Sequence, residues 1–291
     1  MKNLSKSTRR QALAAAGTAA ASFFVLRNLR ADDDKTPAKI NGNINQSLCK
    51  WCYAKIPFET LGPAAKKFGY KSIELLTPEQ YAQVKPFGLT CAMLSGIGSI
   101  PKNWNRKENH AELEKKGREL IDFAAAENLP NVITFSGNRD KMPDDEGLEN
   151  CAEGLKKLMS YAEEKKVTVV MELLNSKVNH PDYMCDHTAW GVKLCKKIGS
   201  ERFKLLYDIY HMQIMEGDVI RTLKENKDYI AHYHTGGVPG RAEIDEGQEL
   251  YYPAIMKAIL GTKYTGFVAQ EFIPKRDPLT SLGQAFKICD V

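Results

Sequence analysis

From residue 48 onward, short apolar runs alternate with longer stretches whose apolar positions recur every three to four residues, the pattern of strands separated by amphipathic helices. Residues 48–54 read as a strand, and residues 57–68 as a helix with Pro57 in its first turn. A strand over 71–76, a short helical piece over 78–84 and a strand over 89–94 follow. Residues 109–128 form a long amphipathic helix with Leu113, Leu120, Ile121 and Ala124 on one face, closed before Pro130. Beyond it come strands at 132–135, 167–172, 203–207, 229–234 and 266–271. Helices at 149–165, 188–198, 218–226, 252–260 and 279–289 alternate with them.

Eight strands separated by helices over roughly 240 residues is the size of a single-domain (β/α)8 TIM barrel. A doubly wound sheet would place a glycine-rich phosphate turn after its first strand, whereas Trp51-Cys-Tyr-Ala-Lys-Ile-Pro57 occupies that position. No Walker loop, nucleophile elbow or HExxH motif occurs in the chain. The predicted architecture is therefore an α/β barrel over residues 47–291.

The N-terminus has a different composition. Residues 1–31 carry a basic start and an alanine-rich apolar run too short to span a bilayer, in the order of a secretory signal. Ser7-Thr8-Arg9-Arg10-Gln11-Ala12-Leu13 resembles the twin-arginine export motif, which implies a periplasmic or cell-envelope destination and no stable membrane span in the mature protein. An uncleaved N-terminal anchor is the alternative. Residues 32–46 are polar, with Pro37 and Gly42, and read as a linker.

Composition adds little to this division. The net charge is +5, and the first thirty residues hold Lys2, Lys6, Arg9, Arg10, Arg27 and Arg30 without an acid, so the remainder gives no argument for nucleic acid. The seven cysteines show no framework spacing. Cys49-Lys-Trp-Cys52 has no second CxxC to complete a zinc site, so these residues read as small core or cleft side chains.

The chemistry lies at the strand ends, because the loops after barrel strands build the active face. Glu172, Asp208, His234 and Glu271 end four consecutive predicted strands. Any one of them alone reads as a solvated loop acid or a satisfied histidine. Together they form a mixed oxygen and nitrogen donor set for one divalent ion, suited to Mn2+, Mg2+ or Co2+ and compatible with Zn2+. Crowded carboxylates repel, and a divalent cation keeps all three ionised.

The segments Met171-Glu172-Leu-Leu-Asn175, Leu206-Tyr-Asp208-Ile-Tyr-His211-Met-Gln, His232-Tyr-His234-Thr-Gly-Gly-Val-Pro-Gly-Arg241 and Gln270-Glu271-Phe-Ile-Pro274 resemble the hydroxypyruvate isomerase group of the xylose isomerase-like barrels, relatives of the ketose 3-epimerases. The resemblance covers most of residues 48–288. It implies that Glu172, Asp208, His234 and Glu271 hold the metal, that Glu172 and Glu271 transfer the proton, and that His211 and Arg241 contact substrate oxygens. The hydroxypyruvate isomerase pattern has glutamine where His234 stands, whereas ketose epimerases place histidine there. Isomerisation and epimerisation therefore stay open.

Asn175 and Lys177 follow Glu172 on the active-face loop and are further candidates for substrate contact, as is His187 before the helix at 188. Arg139, after the fourth strand, could pair an anionic group or a structural acid. The expected ligand is a small hydroxy-ketone or sugar, and assembly into a homo-oligomer stays open. Two other function classes compete: a metallohydrolase resembling an apurinic-site endonuclease, and a non-catalytic sugar-binding barrel. The first would call for more than six histidines and a basic groove.

Overall fold

A computed structural model describes residues 40–291. The expected signal, residues 1–31, and positions 32–39 of the expected linker lie outside the described residues. Eight strands line up in parallel: β1 (Asn45–Cys49), β2 (Ser72–Glu74), β3 (Leu94–Ile97), β4 (Asn131–Thr134), β5 (Thr168–Glu172), β6 (Phe203–Asp208), β7 (Ile230–Thr235) and β8 (Phe267–Gln270). Their spatial order is β2-β1-β8-β7-β6-β5-β4-β3. Single parallel bridges, Ser72 to Thr90 and Leu76 to Leu94, join the two ends of that row, with Leu75 N donating to Met93 O at 2.8 Å. The sheet thus comes round to a nearly closed barrel, as its strand and helix count requires.

Helices fill the connections: α1 (Phe58–Phe68), α2 (Pro78–Val84), α3 (His110–Ala126), α4 (Asp144–Lys165), α5 (Thr188–Ile198), α6 (Ile209–Met215), α7 (Val219–Glu225), α8 (Tyr252–Gly261) and α9 (Pro278–Cys289). Local chemistry sets several of their ends. At α2, Thr77 and Gln80 form a reciprocal capping box ahead of Pro78. At the far end of α1, Gly69 takes φ +107°, a left-handed value that a side chain would resist. Among the described residues no helix is long and apolar enough to cross a membrane.

Three boundaries differ from the pattern reading. The first strand opens at Asn45, inside the stretch read as linker, and stops at Cys49, where a 3-10 turn over Lys50–Tyr53 carries buried Tyr53 into the core. The apolar run at 89–94 is buried but pairs only through isolated bridges, and regular strand begins at Leu94. Helix α4 starts five residues before the expected 149, because its first turn is Asp144, Asp145 and Glu146. Acids suit a helix N-terminus but contribute nothing to an apolar period.

Strand alternation decides what faces the barrel interior. Val169 and Met171 of β5, like Leu205 and Tyr207 of β6, join the large core between sheet and helices. Met93, Ile133, Val170 and Leu206 instead form a separate small cluster inside the barrel. Two residues past Val170 and Leu206, on the same inward face, come Glu172 and Asp208. The interior is apolar at mid-height on its β4–β6 side and acidic at its C-terminal mouth.

Candidate active site

The four expected metal positions meet. Glu172 ends β5, Asp208 ends β6, His234 lies in β7 and Glu271 follows β8. All four are buried, and one ligand atom from each lies within 4.8 Å of the others. Glu271 Oε2 is 2.6 Å and Glu172 Oε1 3.5 Å from His234 Nδ1. Arg241 Nη2 pairs with Glu271 Oε2, and with Asp208 Oδ2 at 3.3 Å.

Charge and satisfaction both fit a divalent ion. Arg241 supplies one permanent positive charge against three carboxylates, and Glu172 Oε1 is a buried carboxylate oxygen without a hydrogen-bond partner. Two oxygens are already committed elsewhere: Glu271 Oε1 accepts from Trp51 Nε1 at 2.7 Å, and Asp208 Oδ1 accepts the backbone N–H of His211 at 3.1 Å. Burial, with the neighbouring Glu271 charge second, raises the Glu172 carboxyl. Burial also lifts Asp208 to about 8 despite the opposing Arg241 charge. Burial pushes Glu271 the same way, but Arg241 and His234 outweigh it and hold that carboxyl well below its usual range.

Asp208 has a second task. It is the N-cap of α6, a helix that follows β6 without a loop and carries His211 in its first turn. The backbone N–H and the side-chain amide of Asn175 both point at His211 Nδ1, at 3.2 and 2.6 Å. Two donors there make Nδ1 an acceptor and put the ring proton on Nε2. That Nε2 is buried without a hydrogen-bond partner, 3.7 Å from Asp208 Oδ2. Burial, reinforced by the Arg241 charge, pulls the His211 pKa well below its usual value, so the ring is a neutral donor.

A cavity of about 220 Å3 opens over this cluster, with Glu172, Glu271, Arg241, His180 and Trp51 at its polar end and Ile133, Phe135 and Leu174 among its apolar walls. That is smaller than the roughly 300 Å3 at which drug-sized pockets begin, and it suits a ligand of a few carbons. Arg241 is clasped between Trp51 and Tyr210, its guanidinium carbon 5.2 and 5.4 Å from the two ring centroids.

Other candidates fall elsewhere. His187 is half exposed, with Nδ1 2.8 Å from Asp186 Oδ1, and does not line the cavity. Its loop turns outward before α5, whose first amide is capped by Glu216 Oε1 at 2.6 Å rather than by Asp186. Asn175 is fully buried and braces His211 instead of reaching the cavity. Lys177 caps the C-terminus of α6 through Met215 O at 3.0 Å. Arg139 pairs with Asp144 and Asp186.

Three neighbours escaped the pattern reading. Trp51, within the run expected to be the first strand, is 42% exposed and donates to Glu271. His180 sits in a loop with no periodic signal, its ring 5.3 Å from that of His211. Glu74 is a fully buried acid at the end of β2; because the expected strand ran on to residue 76, the strand-end rule passed over it.

The family pattern described as the xylose isomerase-like TIM barrel matches residues 63–288. The chain belongs to that family. Within reach of this xylose isomerase-like barrel, a 2-oxo-tetronate isomerase from Cupriavidus necator is 27% identical over 238 residues, covering 76% of this chain and 88% of its own. The hydroxypyruvate isomerase of Escherichia coli K12 is 31% identical, over 72% of this chain and 86% of its own. Among solved structures, one titled AP endonuclease, family 2, from Brucella melitensis superposes with a TM-score of 0.75 at 22% identity. It covers 82% of this chain and 97% of its own, and at that identity it shares the fold.

Proposed function

We propose that this chain is a divalent-metal-dependent isomerase of a small hydroxy-ketone or 2-oxo acid, working by proton transfer between neighbouring carbons through an enediolate. The isomerase assignment is carried by the family and its curated relatives. The mechanism is carried by one observation: Glu172 and Glu271 reach a single small cavity from β5 and β8. Moving a carbonyl by one carbon requires one group to take the α-proton and another to return it next door, and two carboxylates at one ligand can do both.

Glu172, Asp208, His234 and Glu271 would hold the ion, which when bound supplies Lewis-acid polarisation of the carbonyl and charge for the developing oxyanion. The chain's own residues do the rest. Trp51 fixes one oxygen of Glu271. His211 offers a neutral, unpartnered N–H beside Asp208 and would donate it to a substrate oxygen drawn in to the ion. Arg241 tethers Asp208 and Glu271 and presents the remaining guanidinium edge to the cavity, where it can meet a substrate carboxylate. The apolar wall of Ile133, Phe135 and Leu174 keeps water from the proton in transit.

Epimerisation at the carbon beside the carbonyl is the second reading, favoured by the imidazole of His234 in the donor set. An apurinic-site hydrolase fits less well, since a single histidine, His234, joins the four-residue donor set. The deciding experiment incubates purified protein with hydroxypyruvate, 2-oxo-tetronate and short ketoses in deuterated water, with Mn2+ or with chelator. Ion-dependent deuterium uptake at the α-carbon with isomer formation is expected. Hydrolysis of abasic DNA without exchange would favour the hydrolase, and saccharide binding with neither activity a binding barrel.

A further inference from the structure

Below the proposed ion, the barrel holds a second polar cluster. Glu74 at the end of β2 reaches across the interior to β7, where His232 and His234 point inward from alternate positions. Its Oε1 is 2.7 Å from His232 Nε2 and 2.9 Å from His234 Nε2, and all three side chains are fully buried. The thiol of Cys49, paired with Glu74 in the β1–β2 register, lies 4.0 Å from the same oxygen.

His234 is thus pulled from both sides. Its Nδ1 faces Glu271 and Glu172, and its Nε2 faces Glu74. A neutral imidazole has one N–H, and only the nitrogen without it has a lone pair to give to a metal. The carboxylates at the mouth would by themselves draw the proton onto Nδ1 and close off the fourth donor. The geometry points to Glu74 as the positioning residue that holds the proton of His234 on Nε2, and so turns Nδ1 into a metal ligand. A carboxylate that accepts the far N–H of a ligating histidine fixes its tautomer and ring orientation and raises its basicity.

The role of His232 follows from the same oxygen. Its N–H shares Glu74 Oε1, which anchors the carboxylate from the β7 side and keeps it from swinging toward Cys49. Glu74 Oε2 and His232 Nδ1 are buried without partners, and the competing neighbour of His234 Nε2 is the Cys49 thiol at 3.8 Å, a weaker partner than the carboxylate at 2.9 Å.

The inference rests on the metal-dependent reading above, and its test separates the two. Mn2+ binding is titrated calorimetrically into chelator-treated wild type and Glu74→Gln, which keeps the shape and an acceptor oxygen but removes the charge. Binding is expected to weaken about 10- to 100-fold in the variant, the range seen when such outer partners are lost, while the melting temperatures of the two ion-free proteins stay close. In Zn2+-loaded wild type, long-range 1H–15N spectra should place the His234 proton on Nε2, the signal being assigned by its loss in His234→Gln. This second readout stands even where Glu74→Gln fails to fold.

Equal ion affinity in wild type and variant, or a His234 proton on Nδ1, overturns the inference alone. A stoichiometry of two ions per chain, one lost in Cys49→Ser, also overturns it, because His234 Nε2 would then face an ion instead of donating to Glu74. Failure of wild type to bind any ion removes the metal reading and this inference with it.

Discussion

Glu172→Gln should make the ion-free protein more stable while removing its activity. In the folded state Glu172 faces Asp208 and Glu271 within 4.8 Å. At an effective dielectric near 20, the Glu172–Glu271 pair repels by roughly 3–4 kcal/mol, while Asp208, lifted to about 8 by burial, adds little at neutral pH. The attractions of His234, 3.5 Å from Glu172 Oε1, and of Arg241 offset most of that. A net strain of about 1–3 kcal/mol remains, on a carboxylate whose buried Oε1 has no hydrogen-bond partner. Glutamine keeps the volume and removes the charge. At about 2–4 °C per kcal/mol for a domain of this size, chelator-treated Glu172→Gln should melt roughly 3–10 °C above chelator-treated wild type. The same change deletes one of the two proposed proton-transfer groups, so deuterium exchange from substrate should fall by about 10^2–10^4-fold. Differential scanning fluorimetry with chelator and NMR-detected exchange with saturating Mn2+ measure the two effects. An ion-free variant that melts below wild type, or exchange that survives at a tenth of the wild-type rate, would refute the electrostatic account of the site.

Trp51→Phe removes the N–H that holds Glu271 Oε1 and weakens the ring contact with Arg241. A charge-assisted hydrogen bond is worth about 1.5–3 kcal/mol, so kcat/KM should fall about 10- to 100-fold, while melting changes little because the side chain is largely outside the core. Glu243 ties the last loop through Lys275 N, Arg276 N and Ser281 Oγ, at 3.0, 3.0 and 2.9 Å. Burial raises its carboxyl, but the Arg276 N–H first and the other donors after it outweigh burial and hold it at about 2. Because the folded value lies below the unfolded one, near 4.3, the stabilisation is present above that pH and is lost as pH falls toward 2. Glu243→Gln should therefore be less stable at pH 7, with a shallower further loss between pH 4 and 2 in urea melts. For the N-terminal segment, replacing Arg9 and Arg10 together by Lys should retain the full chain in the cytoplasm, where fractionation of wild type should find it in the periplasm.

Residue order along the chain carried the barrel and most of its mouth. Alternation of apolar runs and amphipathic stretches is local, so eight strand and helix units were countable, and Glu172, Asp208, His234 and Glu271 could be picked out by their place at strand ends. Pattern failed where local signals are silent. The acidic first turn of α4 and the helix α6 directly after Asp208 carry no distinguishing period, and the strand-like run into Trp51 concealed a side chain that serves Glu271. Tertiary structure alone decided the partners. Glu74 and His234 are separated by 160 positions and touch because β2 and β7 face one another across the nearly closed barrel. His187, close to Glu172 in sequence, leaves the site because its loop turns outward to Asp186. The candidate donor residues were legible because side-chain chemistry is local. Protonation state and orientation were not, because they are set by whichever charges the barrel brings to the far side of the ring.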